Sequence, residues 1–245
     1  MAVSLSLSGI DYSAGGKHIL KALDLEVPEQ GYFAIAGVNG AGKSTLIKLI
    51  LDLVRPQSGQ IQIFGADNRA PGCRDRVIYL PEKFDVRRNI RGQQYLDFVA
   101  SIYRQKISHT RIWQLAEQLD FPPDRLGNQV GSYSKGMVQK LGLISCFMLN
   151  QPLMILDEPL SGLDPRARYC FKELVRKEKS RERTILYSTH MLADAEELCD
   201  QFGILHEGAM KYCGTPAGCV QRYQADSLEQ AYMHCITESA ARFSG

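Results

Sequence analysis

The chain has 245 residues, 44% of them hydrophobic and 23% charged. That is a globular composition, and it excludes a disordered chain, a collagen-like repeat or a mini-protein scaffold. Lys and Arg number 29 against 27 Asp and Glu, a net charge of +2, so no global field draws the chain to nucleic acid or anionic lipid.

The predicted elements begin with strands. Val3, Leu5 and Leu7 alternate with serines, without the basic flank of a signal peptide. Leu23, Leu25 and Val27 alternate again after a turn-rich segment around Ala14–Lys17, and Tyr32–Ala36 is an apolar run. Thr45–Leu53 has the i, i+3, i+4 apolar spacing of a helix. Ile61–Phe64 and Val77–Leu80 are short strands, and Asn89–Arg104, Thr110–Leu119 and Gly136–Leu149 read as helices. Strands then alternate with helices: Leu153–Leu156, Pro165–Lys179, Thr184–Ser188, Met191–Cys199 and Gln201–Leu205, with a terminal helix at Ser227–Ala240. Such alternation predicts an α/β fold with parallel strands, and the helical block of about residues 89–150 is an insertion in it. The longest apolar stretch, Leu141–Leu156, is broken by Asn150, Gln151 and Pro152. It falls short of the ~20 residues that span a bilayer. The seven cysteines form no CxxC pair, which points to a reducing compartment rather than a disulfide or zinc framework.

Gly37-Val38-Asn39-Gly40-Ala41-Gly42-Lys43-Ser44-Thr45 fits G-x-x-x-x-G-K-[ST] between an apolar strand and an amphipathic helix. Its glycines let backbone N–H groups point inward at phosphate oxygens, and the helix N-terminus adds partial positive charge. Lys43 is expected at the β/γ-phosphates and the Ser44 hydroxyl on Mg²⁺. The pattern predicts a nucleoside triphosphate site.

Leu153–Leu156 ends in Asp157-Glu158. Strand ends beside a phosphate loop are where open α/β sheets place ligands. Asp157 is expected in the Mg²⁺ shell and Glu158 as the base that polarises an attacking water.

With these motifs in this order, residues 3–215 resemble the ATP-binding subunit of ABC (ATP-binding cassette) transporters. The resemblance implies a P-loop NTPase, RecA-like core with an N-terminal antiparallel β subdomain and an inserted α-helical subdomain. It implies a 1–215 ATP-binding domain followed by a helical tail, 216–245. Tyr12 stands where the family stacks an aromatic on adenine. Tyr133-Ser134-Lys135-Gly136-Met137 stands at the signature position, where the family pattern is Leu-Ser-Gly-Gly-Gln. Ser134 and Gly136 agree with it, while Tyr133, Lys135 and Met137 depart. Asp164 of Ser161-Gly162-Leu163-Asp164 matches the D-loop and is also a helix cap. His190 matches the switch histidine at the γ-phosphate. Where the family has Gln, this chain has Glu82. Glu82 keeps an oxygen ligand and adds charge, so it either strengthens metal binding or stays outside the site until closure. Arg87, Arg88 and Arg91 follow, either as a permease-facing surface or as a solvated basic face.

The resemblance further implies ATP and Mg²⁺ as ligands and a head-to-tail dimer with a second copy or a paralogue. Each ATP is then held between one subunit's phosphate loop and the other's signature. It implies an integral membrane permease as partner, no nucleic acid, and a peripheral place on the cytoplasmic face of the membrane. The signature variant, the single-cassette length and the Ser227–Tyr232 segment are similar to those of drug- and polysaccharide-export subunits. A soluble ABC-type ATPase is the alternative. A small-molecule kinase fits less well, since it leaves Ser134–Met137 and His190 unexplained.

Overall fold

The computed structural model describes residues 2–178 and 182–241. β1 (Val3–Ala14) and β2 (Lys17–Pro28) form an antiparallel hairpin. Its turn is Gly15-Gly16, with φ of +57° and +74°. A two-residue hairpin loop of this kind needs positive φ at both positions, which glycine adopts without a Cβ clash. β3 (Tyr32–Ala36) leads through the phosphate loop into α1 (Lys43–Ile50). β4 (Ser58–Ile63) and β5 (Ala66–Asp67) return to the hairpin and complete an antiparallel sheet in the order β2-β1-β4-β5.

β6 (Val77–Leu80) precedes the helical block, which contains α2 (Gly92–Ile102), α3 (His109–Gln118) and α4 (Lys135–Phe147). Then come β7 (Leu153–Asp157), α5 (Pro165–Glu178), β8 (Thr184–Thr189), α6 (Leu192–Leu198), β9 (Gln201–His206) and β10 (Ala209–Gly214). The second sheet has the order β10-β9-β3-β8-β7-β6. Its pairs are parallel except β9 with β10. β3 is early in the chain but central in the sheet, with β8 on one side and β9 on the other.

All five β3 residues are buried, and the two faces of the strand divide the core. Tyr32, Ala34 and Ala36 join a cluster with the helical block, α5 and α6. Phe33 and Ile35 join a second cluster with α1 and the antiparallel sheet. A strand covered on both faces reads as a continuous apolar run, which is why Tyr32–Ala36 shows no alternation. The Leu141–Leu156 stretch is shared between α4 and β7. Among the described residues no helix is long and apolar enough to cross a membrane.

Four of the departures from the predicted elements have a local cause. α1 stops at Ile50 because Asp52 turns the backbone into the left-handed region, φ +53°, and leaves Leu53 62% exposed. α2 starts at Gly92 rather than Asn89, because Arg91 bridges to Gln129 and its N–H donates to Gln94 Oε1. β10 is an added strand, set by a Glu207-Gly208 turn with φ of +49° and +80°. α7 (Pro216–Arg222) is an added helix, capped by Thr215 Oγ1 accepting from Gly218 N–H and begun by Pro216. It is followed by α8 (Leu228–Ala241). Cys219, Leu228, Ala231, Tyr232 and Cys235 of these two helices are buried in the first core cluster. Lys179, the last residue of the predicted fifth helix, lies outside the described residues.

Candidate active site

Three adjacent parallel strands deliver the site. β3 ends at Ala36, β8 at Thr189 and β7 at Asp157, and register pairs Ala36 with Thr189 and Asp157 with Ser188. The Gly37 N–H donates to the Thr189 carbonyl at 3.2 Å, which fixes the phosphate loop to β8. Gly42 caps α1 at φ +111°, so no side chain occupies the helix start. A Cβ there would also lie 2.9 Å from Leu20 Cδ2. The N-terminal N–H groups of α1 are therefore left for a ligand.

A cavity of about 600 Å³ opens at this point. It is lined by Asn39, Gly40, Gly42, Lys43, Ser44 and Thr45, together with Glu82, Glu158 and His190. The sequence motifs thus converge on one space. Lys43 is buried, and its Nζ donates to the Gly37 carbonyl at 2.7 Å and to that of Val38 at 3.4 Å. The same ammonium stands 3.3 Å from Glu158 Oε1, an ion pair without an aligned hydrogen bond. His190 Nδ1 lies 2.9 Å from the other oxygen, Glu158 Oε2. With Glu158 ionised, that nitrogen carries the proton and donates.

Glu158 has φ +49°. A non-glycine residue held there costs on the order of 1–3 kcal/mol and persists only where its neighbours impose it. Ser188 is one of those neighbours. Its hydroxyl is fully buried, donates to Asp157 Oδ1 at 2.5 Å and accepts from the Glu158 N–H at 2.9 Å. One serine therefore fixes both carboxylate residues. Sequence reasoning missed it, and its one signal is a small hydroxyl at the end of an apolar strand, two residues before His190. Lys17, Ile19 and Ser161 also line the cavity and were not expected there.

The donor set fits a hard divalent cation. Ser44 offers a hydroxyl, Asp157 and Glu82 offer carboxylates, and Mg²⁺ uses one or two carboxylates with substrate phosphates for the rest. Glu82 is exposed on the rim. Burial, with a smaller contribution from the charges of Asp157 and Glu82, pushes the Tyr79 phenol up to about 12, so Tyr79 is neutral beside the site.

The other residues singled out from the sequence lie elsewhere. Tyr12 is half-buried against the second core cluster and does not line the cavity. Ser134 caps α4, accepting from the Met137 N–H at 3.2 Å. None of Ser134, Lys135, Gly136 or Met137 lines the phosphate-loop cavity of its own chain. Lys135 faces a neighbouring groove of about 480 Å³ that shares Glu82 and Ser161 with it. Asp164 caps α5, and the Ala167 N–H, 2.8 Å away, holds its carboxyl below the usual range.

The comparisons with known proteins point to one family. The ABC transporter family model matches residues 20–161, more than half of the chain. An ABC transporter ATP-binding protein of Nostoc sp. is 33% identical over 199 residues, 80% of this chain and 59% of that protein. The chain thus spans less than two thirds of that relative's length. The Nod factor export ATP-binding protein I of Rhizobium leguminosarum bv. viciae is 31% identical over 229 residues, 89% of this chain and 71% of that protein. Among solved structures, an ATP-binding subunit of an ABC transporter superposes with a TM-score of 0.87 at 32% identity, covering 95% of this chain and 99% of that one. The chain belongs to the ABC transporter ATP-binding family.

Proposed function

We propose that the chain binds and hydrolyses ATP and powers transport, in the export direction, through a separate membrane permease. The observation that carries this is the meeting of Lys43, Glu158 and His190 on one cavity behind a phosphate loop. The backbone N–H groups from Gly40 to Thr45 and the Lys43 ammonium bind the phosphates. The adenine lies toward the β1–β2 hairpin, where Tyr12 and Ile19 offer apolar faces. Mg²⁺, when bound, neutralises charge on the phosphate oxygens, and Ser44, Asp157 and Glu82 are the residues that would hold it.

Glu158 takes the proton of the attacking water. A positioned base of this kind contributes about 10²–10⁴-fold. His190 holds that carboxylate and faces the γ-phosphate. ATP entry draws Lys43 away from Glu158, so nucleotide binding frees the base it needs.

Ser134–Met137 complete the site of a second subunit, a copy or a paralogue, and Asp164 lies at that interface. ATP then contacts both subunits, and closure is favoured only to the extent of that differential affinity. Residues 1–215 are the ATP-binding domain, and the segment from 216 onward carries α7 (Pro216–Arg222) and α8 (Leu228–Ala241). The export direction is supported by the likeness to a Nod factor export subunit and by the Tyr-Ser-Lys-Gly-Met signature. Docking to a permease places the chain on the cytoplasmic face of the membrane.

The test is steady-state hydrolysis by Glu158→Gln. Turnover falls by roughly 10²-fold or more, while calorimetry still finds ATP bound. Unchanged turnover would remove Glu158 from the chemistry.

A further inference from the structure

The first turn of α4 is packed on the loop that follows Glu158. Gln139 Nε2 donates to the Pro159 carbonyl at 3.1 Å, and Gln139 is 6% exposed. A Cβ on Gly136 would lie 3.5 Å from the Gly162 carbonyl oxygen. A Cβ on Gly162, whose φ is +76°, would lie 3.5 Å from Lys135 Cε. The seam thus joins the Ser134–Met137 turn directly to the Pro159–Leu163 loop of the same chain.

Pro159 is bonded to Glu158, whose left-handed backbone needs support from both sides. Ser188 supplies it on the N-terminal side, through the Glu158 N–H. On the C-terminal side the Ser161 N–H donates to the Glu158 carbonyl at 3.0 Å, and Gln139 holds the next carbonyl. A buried carbonyl bonded to a buried amide has no water to replace that partner.

We propose that Gln139 is a positioning residue for the Glu158 base. By fixing Pro159 it sets the direction of the Glu158 carboxylate. It does so from the turn of α4 that follows Ser134–Met137, so displacement of the start of this helix by a partner's nucleotide is passed to the base of this chain's own site. The inference rests on the proposed hydrolytic role of Glu158 and adds a residue to it.

The test is Gln139→Met, which keeps length and loses the donor, assayed well below its melting temperature. The expected result is a kcat about tenfold lower with the KM for ATP within twofold of wild type. A purely structural role lowers the melting temperature and leaves kcat per folded molecule unchanged, which would overturn the proposal. So would a KM that rises as much as kcat falls. Gln139→Asn is too short to reach Pro159, and it decides the matter by the same split if the Met variant does not fold. Wild-type turnover in the same assay separates the two claims. Its absence overturns the hydrolytic reading and this one with it, whereas equal turnover in wild type and variant overturns the role of Gln139 alone.

Discussion

Lys43 shows how one residue's partners encode a switch. Its ammonium is buried, yet two loop carbonyls and Glu158 satisfy it, so the protein without nucleotide carries no orphan charge there. Phosphate oxygens offer the same ammonium stronger, charge-assisted partners. Lys43→Ala is therefore expected to lose ATP affinity in calorimetry. In thermal melts, ATP at 100 times its Kd stabilises the wild type by about 2.7 kcal/mol. That is a shift of roughly 5–10 °C at this chain length, and the variant shows none of it. Tight ATP binding by the variant would contradict the phosphate contact. Lys43, Asp157 and Glu158 stand out in the sequence because fixed spacing on a strand–loop–helix is itself a signal. Ser188 and Gln139 were not, because a buried serine at a strand end and a glutamine inside a helix have no periodic or spacing signature. Their roles exist only once β7 meets β8 and α4 meets the Pro159 loop.

At the level of elements, α4 is placed by a glycine. A Cβ at Gly142 would lie 2.6 Å from Leu80 Cδ1 and 2.8 Å from Phe84 Cδ1, so the helix lies directly on the end of β6 and on the loop that carries Glu82. Gly142→Ala gains helix propensity of about 1 kcal/mol. It also overpacks a site where Leu80 is 1% exposed, at about 1–3 kcal/mol. Overpacking outweighs the gain in propensity, and the expected outcome is a net loss of about 1 kcal/mol, or roughly 2–4 °C in the melting temperature. A melting temperature at or above wild type would show that this contact is slack. The elements with strong apolar spacing were read correctly in kind, whereas β10 was missed and α7 was not separated within the expected helical tail. Ala209–Gly214 alternates weakly, and α7 is seven residues long with Cys219 as its buried residue. What defines these two is local turn and cap chemistry at Glu207-Gly208 and Thr215-Pro216.

Among the described residues two cores lie on opposite faces of one sheet, with the strand ends of the candidate site between them. The antiparallel sheet reaches the cavity through Lys17 and Ile19, the helical block borders the neighbouring groove, and Glu82 and Ser161 line both. The fold class was legible from strand–helix alternation, because parallel strands require crossover helices. The proposed sharing of each ATP between subunits rests on resemblance, since an interface leaves no period in one chain. Sedimentation velocity of Glu158→Gln with and without ATP and Mg²⁺ tests that claim most directly. The expected result is a monomer without nucleotide and a dimer carrying one ATP per chain with it. A monomer that holds stoichiometric ATP would contradict the shared site.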